Sequence, residues 1–189
     1  FTFTTRKVAN ATVELLCVGR LSPAKGQVLL VQACAQLRDK GLNFSLTLVG
    51  DGPDRRRIEQ AIASLQLGSH ITLNGSLNQE AVKAKFARAD VFVLPSLAEG
   101  IPVVLMEAMS SGVPCVSTPV NGIPEMIEHD CTGLLATPGD VDSLTRQLTR
   151  LIQQPQLRHS LAHAAHGKVL ADFVLMRNVA RLSVCFAHA

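Results

Sequence analysis

The sequence predicts a single α/β domain in which a parallel sheet of about six strands carries helices on both faces. Two observations predict this fold class. Short apolar runs rich in β-favouring residues alternate with segments whose apolar residues recur at helical spacing. Gly or Pro stands at the turns between these segments. Repeated βα units of this kind are typical of a parallel sheet buried on both faces. The predicted architecture is Rossmann-like.

The elements follow one another in regular alternation. The predicted strands are Val13–Gly19, Phe44–Gly50, Ile71–Leu73, Val91–Leu94, Cys115–Thr118 and Gly133–Leu135. The predicted helices are Ala24–Lys40, a helix after Pro53 on which Ile58, Ile62 and Leu65 share one face, Gln79–Ala89, Val103–Ser111, Ile123–Glu128 and a mostly helical region from Val141 onward. Asp140 and Asp142 are predicted to cap this last region. Pro155 is predicted to separate two helices rather than two domains.

Composition excludes several classes of protein. The 189 residues are 47% hydrophobic and 17% charged, which excludes a disordered chain. The longest apolar runs fall far short of the roughly 20 residues that a bilayer-spanning helix needs. A net charge of +3, evenly spread, gives no footprint for nucleic acid, and a chain without Tyr or Trp has few stacking platforms. Five Cys without a CxxC pair favour a reduced, cytoplasmic protein with buried thiols.

We predict three segments along the chain. Residues 1–12 are expected to be a residual interdomain linker, residues 13–171 the α/β domain, and residues 172–189 a C-terminal helical tail. The chain starts with a polar, strand-like stretch and has neither an initiator Met nor a signal peptide. We therefore expect it to be one piece of a larger protein.

Ligands of such folds bind in the loops at the carboxyl ends of the strands. Gly, Pro and polar residues crowd these loops, as a ligand-facing rim requires. The rule predicts five candidate segments, which are Gly19–Gly26, Gly50–Asp54, Asn74–Leu77, Ser96–Pro102 and Pro119–Pro124.

The first of these loops carries two cations. Arg20 directly follows the strand, and Lys25 lies near the N-terminus of the next helix. Cations beside free backbone N–H groups suit a phosphate or a diphosphate. The alternative is a pair of ordinary surface cations on an exposed turn. Neither a Walker loop nor a GxGxxG motif is present.

The loop after the fourth strand gives the strongest signal. Pro102 favours the first helical position, Ile101 must then be extended, and Gly100 lets the backbone approach a ligand. Glu99 faces the helix N-terminus, and Glu107 lies further along the helix. Two carboxylates so spaced can reach different ends of a polyhydroxylated ligand, while the free N–H groups meet an anionic middle. The alternatives are a carboxylate favoured by the helix dipole for Glu99 and an exposed helical residue for Glu107. The second is weaker, because a lone carboxylate on an apolar helix is costly unless partnered.

Two other groups of residues are candidates for chemistry. His159, His163 and His166 share a predicted helix face that suits either a metal or, as we favour, ordinary surface packing, because no carboxylate or Cys joins them at useful spacing. Cys34 and Cys185 are interpreted as packing residues, because neither has a His or Lys placed in sequence to lower the pKa of its thiol.

Together these motifs carry a resemblance. Glu99 and Glu107 form an E-x7-E motif. The other motifs stand in order around it as Val18–Gly26, Leu48–Pro53, Gly112–Glu125 and Thr132–Leu135. The ordered set resembles the family 4 retaining glycosyltransferases, which are GT-B enzymes of the glycosyl transferases group 1 type. The match runs from Val13 to Ile152 with a weaker echo in Asn178–Leu182, and its E-x7-E region is most similar to the bacterial exopolysaccharide (colanic-acid-type) branch.

The resemblance implies a two-domain enzyme of which this chain is the C-terminal, donor-binding half. Such an enzyme moves a hexose from a nucleotide diphosphate sugar to a saccharide or lipid-linked acceptor, and its N-terminal acceptor domain is missing here. The resemblance implies no cofactor and no metal. The full-length protein is expected in the cytoplasm, with at most a peripheral contact with the membrane. The alternative is a non-catalytic, nucleotide-binding regulatory module.

The resemblance also implies roles for individual residues. Arg20 and Lys25 would bind the donor diphosphate and stabilise its developing charge, and Glu99 would contact the transferred sugar. The implied donor contacts are Gly19, Gly50, Asp51, Gly52, Asn74, Gly75, Ser96, Gly100, Ile101, Pro102, Leu105 and Glu107. One departure concerns the tail, where the family's aromatic pair is reduced to Phe173. We expect the fragment alone to have no useful transferase activity.

Overall fold

The computed structural model describes residues 12–100 and 102–172. Within these ranges, six parallel strands form one sheet in the order β3-β2-β1-β4-β5-β6. The strands are β1 (Val13–Val18), β2 (Phe44–Val49), β3 (Ile71–Leu73), β4 (Val91–Leu94), β5 (Cys115–Ser117) and β6 (Leu134–Leu135). The predicted Rossmann-like parallel sheet is thereby confirmed.

The helices alternate with the strands as predicted. They are α1 (Gln27–Asp39), α2 (Arg55–Ser64), α3 (Gln79–Arg88), α4 (Val103–Ser110), α5 (Ile123–Met126), α6 (Val141–Gln153) and α7 (Pro155–Asp172). Pro155 does separate two helices. Two details differ from the expectation. Pro102 precedes α4 instead of opening it. The predicted first helix is split into a 3-10 turn at Pro23–Lys25 and α1, because Gly26 adopts a left-handed φ of 67°.

Alternating strand residues feed two apolar layers, one on each face of the sheet. Leu15 and Leu46 belong to the layer that packs against α1, α2 and α6. Leu16 and Phe92 belong to the opposite layer, together with residues of α3, α4, α5 and α7. Helices therefore cover both faces, as the apolar strand pattern requires. In the described ranges, no helix is long and apolar enough to cross a membrane.

The strand order reverses between β1 and β4, which are neighbours in the sheet but not in the chain. At such a switch point the connections diverge to opposite faces and leave a crevice at the carboxyl ends of the strands. The loops that follow β1 and β4 therefore lie side by side. Most of the predicted linker and of the predicted tail, including Phe173, Cys185 and Asn178–Leu182, falls outside the described residues.

Candidate functional site

The loops after β1 and β4 touch at the switch point. A Cβ on Gly26 would stand 2.1 Å from the carbonyl oxygen of Pro95, so only Gly permits this approach. The backbone N–H groups of Leu97 and Ala98 donate to the carbonyl oxygen of Ala24, at 2.7 and 3.3 Å. Backbone contacts therefore join the two loops directly.

This approach joins Lys25 and Glu99, which are 74 residues apart. The Nζ atom of Lys25 lies 2.5 Å from Oε1 of Glu99, and the Ser96 hydroxyl donates to the same oxygen at 2.6 Å. The side chain of Glu99 is only 5% exposed, whereas that of Lys25 is 23% exposed. The structure therefore places a cation and a carboxylate predicted from separate motifs in one ion pair beside the N-terminus of α1.

The loop after β5 supports this arrangement. The hydroxyl of Thr118 donates to the carbonyl oxygen of Ser96 at 2.5 Å. The side-chain amide of Asn121 donates to the carbonyl oxygen of Glu99, also at 2.5 Å. Asn121 has a φ of 45°, a left-handed conformation that Asn tolerates better than most residues. Three loops therefore converge on Glu99.

Arg20 stands at the same edge but in a different environment. Its side chain is exposed to solvent, and its carbonyl oxygen accepts a hydrogen bond of 2.9 Å from Nε2 of Gln27. Gln27 is only 1% exposed, so it fixes the backbone of the first loop from below. The two predicted cations are thus unequal, since Lys25 is already paired and Arg20 reaches into solvent.

The loops after β2 and β3 pack against the first loop. A Cβ on Gly50 would stand 2.0 Å from the carbonyl oxygen of Gly19. The N–H of Leu21 donates to the carbonyl oxygen of Asp51 at 3.0 Å, and the N–H of Gly50 donates to that of Gly75 at 2.8 Å. The predicted residues of these loops therefore form one continuous backbone surface with the first loop.

Side chains in these loops mostly serve the turns themselves. The Asp51 carboxylate accepts from the N–H of Gly52 at 2.7 Å and pairs with Arg55 at 3.3 Å. The N–H of Asn74 donates to the carbonyl oxygen of Leu48 at 2.9 Å, which extends the pairing of β2 with β3. These contacts hold the turns after β2 and β3 in place.

The start of α4 divides the predicted residues into accessible and buried ones. Gly100 is exposed, and a Cβ there would meet nothing within 4 Å. Pro102 is buried at the helix cap. Leu105 is fully buried in the core, so its side chain packs against other apolar residues and does not face the loops. Ile101 lies outside the described residues.

Glu107 sits on α4 and is partly exposed. Partial burial raises the pKa of its carboxyl above the ordinary value, and the charge of Lys83 opposes this rise. Within residues 12–100 and 102–172, its carboxylate takes part in no hydrogen bond or close ion pair. It therefore differs from Glu99, whose carboxylate is almost fully buried in an ion pair, in being partly exposed.

Cys17 and Cys34 are not arranged for nucleophilic chemistry. Cys17 lies buried beneath the ion pair, and burial raises the pKa of its thiol to about 12, with Lys25 lowering it and Glu99 adding to the rise. Burial likewise raises the pKa of the Cys34 thiol, which lies in the core as predicted. Both residues are therefore protonated packing residues.

The histidines of α7 do not converge on a site. His159 and His163 are exposed, and Nδ1 of His166 lies 2.9 Å from the carbonyl oxygen of Ser110 on α4. In the described part of the chain, no group of three His, Cys, Asp or Glu residues is placed to hold a metal ion. His166 instead contributes to the packing of α7 against α4.

A polar groove of about 180 Å³ opens at a different place, near the amino ends of β1 and β2. Glu14, Ser45, Thr47, Lys85 and Arg88 line it, and Arg88 approaches Glu14 at 3.5 Å. None of the residues predicted for the site lies there. This groove is therefore separate from the crevice at the switch point.

The sequence motifs assigned no individual role to three residues that shape the candidate site: Gln27, Thr118 and Asn121. Two of them had a visible signal. Gln27 is a polar residue at the start of an otherwise apolar helix face, and Asn121 precedes Gly122 in a turn-forming Asn-Gly pair. The role of Thr118 depends on which carbonyl β5 brings beside it, and that information is not local.

Comparison with known proteins shows the family of the chain. The glycosyl transferases group 1 family matches residues 6–168 of the chain. The amylovoran biosynthesis glycosyltransferase AmsK of Erwinia amylovora is 38% identical over 92% of this chain and 44% of its own length. WcaL of Escherichia coli, whose description names colanic acid biosynthesis, is 40% identical over 78% of this chain and 38% of its own length. The chain thus spans less than half the length of these relatives.

Solved structures share the fold. HepE of Anabaena, solved in complex with UDP, superposes with a TM-score of 0.84 at 25% identity, over 95% of this chain and half (50%) of its own. The C-terminal domain of a group 1 family protein, LpcC of Francisella tularensis, superposes with a TM-score of 0.77 at 22% identity and is covered over 87% of its length. The described domain therefore corresponds to about half of a GT-B glycosyltransferase. By its matched span and by its relatives, the chain belongs to the glycosyl transferases group 1 family.

Proposed function

We propose that this chain is the donor-binding half of a retaining glycosyltransferase. The full-length enzyme would move a hexose from a nucleotide diphosphate sugar to a saccharide or lipid-linked acceptor. The observation that carries the proposal is the meeting of Lys25 and Glu99 at the switch point, where the N-terminus of α1 adds its own partial positive charge. Cation, carboxylate and helix N-terminus are the three groups that a sugar linked to a diphosphate requires.

The proposal assigns the charged residues to parts of the donor. Lys25 and the exposed Arg20 bind the diphosphate and stabilise the negative charge that develops on it as the glycosidic bond breaks. Glu99 accepts hydrogen bonds from hydroxyls of the transferred sugar. Glu107, whose carboxylate is accessible on α4, accepts them from the ribose.

Most of the remaining predicted residues shape the site through their backbone in this proposal. The loops around Gly19, Gly50 and Gly75 form one surface that suits the base and the ribose, as do Asp51, Gly52 and Asn74. Ser96 holds Glu99, and Gly100 and Pro102 set the start of α4. We assign the leaving-group charge to protein cations and therefore expect transfer to need neither a metal nor a cofactor.

The relatives support a wider setting for the proposal. HepE was solved with UDP and with UDP-glucose, which supports a nucleotide sugar as the ligand of this fold. The names of two relatives refer to amylovoran and colanic acid biosynthesis, which supports a role of the full-length enzyme in bacterial exopolysaccharide synthesis. The acceptor site would belong to the half of such enzymes that this chain does not span. A cytoplasmic location is supported by the thiols of Cys17, Cys34 and Cys115, which are free and buried.

A binding experiment tests the proposal. Thermal-shift screening of UDP, GDP, ADP and their sugars identifies the base, and titration calorimetry then compares Lys25→Ala with Lys40→Ala, an exposed Lys beyond the other end of α1. We expect Lys25→Ala to weaken binding at least about tenfold, because a charge-assisted contact with phosphate is lost. Lys40→Ala should bind as the wild type does. The proposal fails if no nucleotide stabilises the chain, or if both variants bind equally well.

Transfer itself is tested in the full-length protein. Lys25→Ala and Glu99→Ala should each abolish most of the transfer from the donor that the screen identifies. Transfer that survives both substitutions would place the reaction elsewhere. A wild-type protein that binds nucleotide but transfers no sugar from any donor would instead support a non-catalytic regulatory module.

A further inference from the structure

We infer that Glu99 is the internal counter-ion of the donor site and makes the site discriminate against nucleoside diphosphates that carry no hexose on the diphosphate. Without a donor, the Glu99 carboxylate neutralises Lys25. A diphosphate has to compete with that carboxylate, and only a ligand with sugar hydroxyls offers Glu99 a new set of partners. This inference rests on the proposed function, because it assumes that the diphosphate binds at Lys25.

The ion pair of Lys25 and Glu99 is short and largely shielded from solvent. The Lys25 ammonium and the Glu99 carboxylate are 2.5 Å apart, and the carboxylate side chain is only 5% exposed. Water and salt screen such a pair less than a pair on the open surface. Lys25 is therefore already compensated before any ligand arrives, and its attraction for a phosphate is reduced.

Glu99 is also held in place independently of Lys25. The Ser96 hydroxyl donates to the same carboxylate oxygen at 2.6 Å, and Ser96 is itself fully buried. Asn121 donates to the carbonyl oxygen of Glu99, and Thr118 donates to that of Ser96, both at 2.5 Å. Because these contacts come from β4, β5 and the loops that follow them, the carboxylate does not swing away freely when an anion approaches Lys25.

A phosphate bound at Lys25 and the carboxylate of Glu99 carry charges of the same sign. A phosphate next to Lys25 lies close to the fixed carboxylate, and two neighbouring anions repel each other. Sugar hydroxyls that donate to the carboxylate offset this repulsion, because they satisfy the oxygens that Lys25 gives up. A nucleoside diphosphate without the transferred hexose has no such hydroxyl group at this position. Glu99 therefore favours the intact donor over the leaving group and assists release of the leaving group after transfer.

The test compares Glu99→Gln with the wild-type chain by titration calorimetry, using UDP, GDP and ADP and the corresponding glucose derivatives. Gln keeps the shape and can still accept the Ser96 hydrogen bond, but it carries no charge. We expect the free diphosphate to bind about tenfold tighter to Glu99→Gln, while the affinity for the sugar derivative does not rise. Glu125→Gln, which removes an exposed carboxylate on the short helix α5, is the control and should change neither affinity.

A second variant keeps the test decisive if Glu99→Gln folds poorly. Asn121→Gly retains the left-handed backbone and removes the contact with the Glu99 carbonyl oxygen, so it should shift the preference in the same direction by a smaller factor. If Glu99→Gln binds a free diphosphate no more tightly than the wild type does, the inference is overturned and the proposed function still stands. Absence of any nucleotide binding by the wild type would instead overturn both.

Discussion

Gly50 is the residue at which the loops of the candidate site come closest together. Its φ is 135°, and its Cα faces the carbonyl oxygen of Gly19 so closely that a Cβ would lie 2.0 Å from that atom. Gly68, in contrast, has open space where a Cβ would stand, and Gly41 has open space but a φ of 69°. These three glycines separate a steric requirement from a conformational one.

We expect Gly50→Ala to lower the free energy of unfolding by about 3 kcal/mol, because both backbone strain and overlap oppose the new methyl group. Gly41→Ala should cost about 1 kcal/mol from strain alone. Gly68→Ala should stay within about 0.5 kcal/mol of the wild type. Urea denaturation measures all three, and equal losses at Gly50 and Gly68 would contradict the close approach of the loops.

Glu107 gives a prediction about pH. Because partial burial raises the pKa of its carboxyl in the folded state, the folded chain binds a proton more strongly than the unfolded chain does. Stability is therefore lost as the pH rises above the ordinary value of 4.5. We expect Glu107→Gln to gain stability relative to the wild type from that pH towards neutrality and to show no such gain below it. Urea titrations at several pH values measure this difference, and a difference that shrinks with rising pH would show that the cause is wrong.

At the residue scale, the sequence predicted which side chains are polar rim residues but not how they pair. Lys25 and Glu99 were predicted from separate motifs, and their ion pair depends on the contact between Gly26 and Pro95. That contact joins two loops far apart in the chain. Local patterns carry no information about such a distance, so the pairing and the supporting role of Asn121 emerged only from the structure.

At the scale of the elements, the residues before α2, α3 and α6 differ in whether their side chains cap the helix. Asp140 caps α6 with a hydrogen bond from the N–H of Ser143, and Asn78 caps α3 with one from Ala81, both at 2.9 Å. Asp54 stands at the same position before α2, but its side chain accepts no such bond. The three positions thus form a matched set.

We expect Asp140→Ala and Asn78→Ala each to cost about 1 kcal/mol of stability, because each leaves a helix N–H without its cap. Asp54→Ala should cost no more than about 0.5 kcal/mol, because only the interaction of its charge with the helix dipole is lost. Thermal or urea unfolding measures these differences. A loss at Asp54 as large as that at Asp140 would contradict the assigned caps.

Most elements could be predicted from periodicity and turn residues, and the predicted bounds of β3 and β4 coincide with the observed ones. The apolar face of α6 and the break at Pro155 were equally visible in the sequence. The interruption of the first helix at Gly26 was not. A Gly within a helical pattern is compatible with both a continuous and a broken helix, and here its close approach to β4 decides between them.

At the scale of the whole molecule, the order of the strands gives the site its position. The sheet reverses between β1 and β4, and this brings together the two loops with the strongest sequence signals. The sequence predicted the parallel sheet and the candidate loops at the carboxyl ends of its strands, but strand order is a property of the assembled fold. The polar groove near Lys85 and Arg88, at the opposite edge, had no sequence signal.

The central claim is that a nucleoside diphosphate binds at the edge formed by the loops after β1 and β4. Titrating the isotopically labelled chain with UDP, GDP and ADP, followed by NMR of the backbone amides, tests it most directly. We expect saturable shifts at Arg20, Lys25 and Gly100 for at least one nucleotide, with the amides around Lys85 and Arg88 unchanged. Shifts confined to that polar groove, or no saturable shifts with any of the three nucleotides, would contradict the account.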